Sequence, residues 1–173
     1  MFPQTYAPPP GFPPEGRIVA PAPDCRFLHQ ARVSLPGQVA PLDAWHRVMA
    51  HPLPGMALAF RIRDWISARF GVKRIGGFSG AQGQRAEAGQ HLDFFLIEEA
   101  TPERLVLSER DRHLDVLTCI TATPAATGTE VTILSSVVTH NTFGRAYMLV
   151  VGPAHRLIVR LMLGRLRRAS APH

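Results

Sequence analysis

The chain has 173 residues, 46% of them apolar and 18% charged, so it suits a single packed domain and excludes both global disorder and a two-domain enzyme. Nineteen basic against thirteen acidic residues give a formal charge of +6, and Lys73 is the only lysine. Two cysteines, Cys25 and Cys119, without paired spacing exclude a disulfide framework and a cysteine zinc site, and fit a reducing, cytoplasmic setting.

Eight of the sixteen prolines lie in residues 1–23, which therefore read as an extended, flexible tail (1–22) ahead of a domain over 23–173. No apolar signal-peptide core precedes Arg17. Residues 26–35 alternate, with Phe27, His29, Ala31, Val33 and Leu35 on one side, and predict a first strand. A helix is expected over about 42–50, stopping before His51-Pro52, and a second over about 55–70, with Leu58, Ile62, Trp65 and Ile66 facing the core and Gly71 as its cap. Short strands follow near 73–79, 91–99, 104–110, 113–122 and 129–139, with turn chemistry at Thr101-Pro102-Glu103 and from Pro124 to Gly128. Residues 142–168 read as a long helix, bent or broken at Gly152-Pro153.

The order strand, two helices, antiparallel strands, long helix predicts an α+β fold of the helix-grip kind. A curved antiparallel sheet wraps around the C-terminal helix and leaves a cavity between them. Six strands are counted where that arrangement has seven, and residues 81–90 are where the seventh is sought. The segment 146–166 is apolar but carries His155, Arg156, Arg160 and Arg165, which argues against a transmembrane span.

Charge is segregated. Residues 1–86 carry ten basic and four acidic groups, residues 87–130 three and nine, and residues 131–173 six and none. An acidic sheet attracting a basic terminal helix is the expected arrangement. Along that helix Arg145, Arg156, Arg160 and Arg167 share one stripe, read first as a solvated face and second as a surface for anionic membranes. No motif for nucleic acid accompanies the charge.

Gly76 to Gly83 is glycine-rich but matches neither a dinucleotide fingerprint, a phosphate loop nor a nucleophile elbow, and reads as a flexible hairpin or loop. Asp111-Arg112-His113-Leu114-Asp115 is the densest polar cluster. If it is strand, Asp111, His113 and Asp115 share a face, and flanking carboxylates would orient the imidazole and raise its pKa, as acid/base chemistry requires. The alternative is an outward polar row beside a hairpin. No third ligand accompanies His113 and Asp115, so no metal is expected, nor any cofactor. His140-Asn141-Thr142 closes the last strand, with Asn141 or Thr142 as helix cap or the exposed amides as an anion site. His155 follows Pro153, positioned to bond a freed carbonyl or a ligand.

Several segments together resemble a bacterial family, domain of unknown function 2867, placed among the START-like (SRPBCC) helix-grip proteins. They are Asp24-Cys25-Arg26-Phe27, Phe60 to Asp64 with Phe70 to Lys73, Asp111 to Asp115, Val138 to Asn141, Gly144 to Tyr147 and Pro153 to Arg160. The resemblance spans about residues 23–168. Ala154 and Val116 stand where larger aromatics are expected. It implies a fold and a pocket but no catalytic residue. The function expected is binding of an apolar small molecule between sheet and terminal helix, with Asp111, His113, Asp115, His140, Asn141, Arg145, Tyr147, His155 and Arg156 as pocket candidates. An enzyme using His113 with Asp115 as acid/base, and a membrane-surface or protein-interaction module using the basic helix, are the weaker alternatives.

Overall fold

The computed structural model of the chain describes residues 4–50, 53, 61 and 86–170. Strand β1 (Phe27–Leu35) leads to helix α1 (Pro41–Met49), then to β2 (His91–Leu92), β3 (Phe95–Ala100), β4 (Arg104–Arg110), β5 (Leu114–Ala125), β6 (Gly128–Thr139) and helix α2 (Thr142–Ala169). The strands form one antiparallel sheet in the order β1-β6-β5-β4-β3-β2. This is the expected α+β architecture, with a short helix after the first strand and a long helix at the end. The expected helix over 55–70, the strand near 73–79 and the glycine-rich stretch at 76–83 lie outside the described residues. The expected strand over 91–99 is instead two, β2 and β3, because Asp93 takes a positive φ and Asp93-Phe94 turn the chain back on itself. Among residues 86–90 there is no strand.

Alternation along each strand divides the sheet into two apolar faces. The inner face carries Val33, Leu35, Ile97, Leu105, Leu107, Ile120, Val131 and Ile133, against which α1 packs Trp45 and Val48, and α2 packs Met162, Leu163 and Leu166. Pro41 opens α1 at a position where its missing N–H costs nothing.

The outer face carries Val106, Leu117, Cys119 and Leu134, and here the proline-rich N-terminal segment departs from the expectation of a free tail. Its Ile18 (0% exposed) and Val19 pack on those four residues, with Tyr6 and Phe12 at the border. Tyr6 and Ile18 exchange both backbone hydrogen bonds at 2.9 Å, closing the segment on itself. The Val19 amide donates to Ser136 Oγ at 2.9 Å, and Arg104 Nη1 donates to the Glu15 carbonyl at 2.7 Å. Prolines suit this role because the segment bridges the face as a layer without needing a ladder of its own.

Helix α2 begins at Asn141, whose Oδ1 accepts from the Gly144 amide at 2.8 Å, a standard N-cap. Of the bend or break expected at Gly152-Pro153, the break does not occur: the helix runs on through Pro153. Two buried glycines set its distance from the sheet. A Cβ on Gly144 would collide with the His113 carbonyl oxygen, and one on Gly152 would sit 3.2 Å from the Phe27 ring.

Candidate functional site

Between the inner face and the two helices the apolar packing stops short of closure. A cleft of about 340 Å³ is lined from α1 by Trp45, Val48 and Met49, from the sheet by Phe94, Phe95, Val116, Ile120, Val131 and Ile133, and from α2 by Val151, Ala154, Ile158, Val159 and Met162. The polar groups on this lining are Thr118, Ser135, Tyr147 and His155. Thr118 and Ser135 face each other, their hydroxyls 3.5 Å apart on neighbouring strands. Trp45 meets Phe95 edge to face with centroids 5.9 Å apart, which fixes one wall.

A smaller lobe of about 120 Å³ adjoins it, sharing Phe94, Val116, Tyr147, Val151 and His155 and adding Phe27, Glu109, Asp111, His113 and Met148. This lobe is the polar end of the cavity. His113 is buried (1% exposed), with its ring 5.5 Å from those of Phe143 and Tyr147, and its Nδ1 3.5 Å from Asp111 Oδ2. At the seam between the lobes, the His155 ring lies 5.6 Å from Phe27 and 6.0 Å from His29. Burial, with the neighbouring His29 and Arg156 adding to it, lowers the His155 pKa to about 4, so the ring is neutral at pH 7. Burial and Arg156 lower that of His29 too.

The nine candidates thus divide. Asp111, His113, Tyr147 and His155 line the cavity. Asp115 does not: its carboxylate binds Arg110 Nη1 at 3.1 Å and His140 Nε2 at 3.0 Å, and Arg110 reaches on to Glu98 at 3.4 Å. The shared face of His113 and Asp115 fails because β5 begins only at Leu114. Residues 111–113 form the turn, where the Arg112 amide caps onto Asp111 Oδ1, and the two-residue alternation does not extend through it. The acid/base pair of His113 with Asp115 is therefore not assembled.

His140 and Asn141 serve the joint between β6 and α2. The His140 amide donates to the His113 carbonyl at 2.9 Å, and Asn141 Nδ2 donates to the Arg112 carbonyl at 3.2 Å while its Oδ1 caps the helix. Arg145 is exposed and donates to Thr142 Oγ1. Arg156 is exposed and lies over the Phe27 ring at 5.1 Å. Among the described residues no group of three or more histidine, cysteine or acidic side chains is placed to hold a metal ion. Trp45, Phe94, Thr118 and Ser135 are absent from the sequence candidates. The signal for the last two was a hydroxyl at an inward position of an otherwise apolar alternation.

A family model described as "Protein of unknown function (DUF2867)" matches residues 21–162. Among solved structures, protein CV1439 from Chromobacterium violaceum is similar at 17% identity, over 85% of this chain and 99% of its own, with a TM-score of 0.39. No curated protein matches the chain.

Proposed function

The chain belongs to the family described as Protein of unknown function (DUF2867), and within it we propose that this protein binds an apolar small molecule carrying one polar end. The observation that carries the reading is the cleft of about 340 Å³, aromatic and aliphatic on nearly every wall, within the range of about 300–1,000 Å³ usual for ligand sites. The apolar part of the ligand occupies this cleft. Its polar end enters the smaller lobe, where Tyr147, His155, Asp111 and His113 supply hydrogen-bonding groups. A neutral His155 favours an uncharged polar group such as a hydroxyl or carbonyl. The sheet packed on its last helix, with the cavity between them, supports the START-like helix-grip reading of the resemblance.

Thermal melts with straight-chain C8–C14 alcohols and carboxylates, beside native mass spectra of the purified protein, test this. A ligand at a hundredfold excess over its Kd raises Tm by about 5–10 °C. Val151→Trp, which fills the seam, abolishes the shift. Uniformly flat melts with spectra free of bound mass overturn the proposal.

A further inference from the structure

The outward side of α2 carries a second apolar surface, distinct from the cleft. Leu149, Val150, Leu157 and Leu161 are 67%, 73%, 58% and 46% exposed, although the same helix buries Met148, Met162, Leu163 and Leu166 on its opposite side. At 100° per residue the four exposed side chains fall within an arc of about 120°, and Arg145, Arg156, Arg160 and Arg167 within about 60° along one flank of it. Among the described residues, no ion pair expresses the expected attraction between this basic helix and the acidic sheet. Glu98, Glu99, Asp115 and Glu130 are held by Arg110, Arg104 and Arg32 of the sheet itself, and no ion pair found among the described residues involves α2. Residues 131–173 contain no carboxylate side chain.

We infer that this face of α2 docks the folded protein on an anionic lipid surface, with the leucines and Val150 in the acyl boundary and the arginines at the headgroups. Four large apolar side chains exposed together, on a helix whose charged side chains are all arginines, match an interfacial helix. The arginine stems run along the apolar surface while their guanidinium groups stay in the headgroup layer. A second copy of the chain fits less well, because a two-fold antiparallel pairing of these helices sets arginine flank against arginine flank with no acid between them. The helix is long and apolar enough to cross a membrane by length and composition. Docking, however, leaves its buried side on the sheet. The inference stands independently of whether the cleft holds a ligand.

The test is sedimentation of the full chain with vesicles of phosphatidylcholine alone, or of phosphatidylcholine with phosphatidylglycerol at three to one, at low and high salt. Partition into the anionic vesicles is expected to exceed that into neutral ones by at least about tenfold and to fall with salt. Alkaline carbonate should release the bound protein. Each of Arg156→Gln and Arg160→Gln should weaken it by about fivefold. Val150→Asp with Leu157→Asp should weaken it at least about tenfold, with an unchanged melt because both positions are exposed. As a measurement without a charge change, Leu157→Trp should show blue-shifted emission on anionic vesicles only. No pelleting with anionic vesicles at low salt overturns the inference, as does pelleting indifferent to the Val150 and Leu157 changes. Resistance to carbonate would assign an inserted helix instead. A dimer in sedimentation velocity that Leu157→Asp dissolves would assign the face to a second copy.

Discussion

The two faces of the sheet are built from the same alternating strands and end in opposite states. On the outer face, Ile18 and Val19 close over Val106, Leu117, Cys119 and Leu134, and Ser136 beneath them is satisfied by the Val19 amide. On the inner face, α1 and α2 pack on the sheet and leave an apolar cleft with Thr118 and Ser135 on its lining. The difference separates stability from function. The sealed face has no room for a larger side chain, whereas the open face does, and it is there that we propose a ligand binds.

The largest effect should come from unsealing the outer face. Ile18→Ala is expected to cost about 3–4 kcal/mol in denaturant unfolding, because the layer cannot collapse around the void. Ile133→Ala on the inner face should cost less, about 1–2 kcal/mol, since that wall already borders a cleft. Equal costs would abolish the distinction. Gly144→Ala should cost about 2–3 kcal/mol by forcing the start of α2 off the His113 carbonyl, and should weaken ligand binding in the same melt series.

Adjacent serines offer the sharpest contrast. Ser136→Val strands the Val19 amide and overfills a closed layer, at about 2 kcal/mol, while Ser135→Val points into the cleft and should change stability by less than about 0.5 kcal/mol. Chemical denaturation of the two variants side by side measures both. A further contrast concerns pH. His155 has a folded pKa of about 4 against an ordinary value near 6.5, so below pH 6.5 the unfolded chain takes up a proton that the folded chain refuses. Stability from this group is whole above pH 6.5 and is lost as pH falls towards 4. Relative to His155→Gln, the native protein should lose about 1–2 kcal/mol between pH 7 and 5, read from melts across that range.

Much of this architecture is legible in the sequence, because the inner residues of β1, β4, β5 and β6 repeat every second position and the α2 cap is a single asparagine. What is not legible depends on contacts distant in the chain. The apolar pair Ile18-Val19 is too short to announce a layer amid eight prolines, and its partners Val106, Leu117, Cys119 and Leu134 lie a hundred or so positions away. Asp93 carries no glycine to mark its turn, so β2 and β3 read as one strand. At the site, His113 and Tyr147 meet because the 111–113 turn and the start of α2 are tied by Asn141 and the His140 amide. The same turn ends the alternation that would place Asp115 with them. Hydroxyls at 118 and 135 look like ordinary strand residues until the space beside them is seen.

The outer layer also gives the molecule a clock. Cys119 is fully buried beneath the N-terminal segment, and burial raises its thiol to a pKa of about 11, whereas Cys25 at the segment's edge is only half-buried. Alkylation of Cys119 therefore waits on the segment lifting, and its rate relative to Cys25 reports how often that happens in otherwise native protein. With two thiols in the whole chain, a single mass-resolved labelling time course follows the opening of this one layer without any added probe.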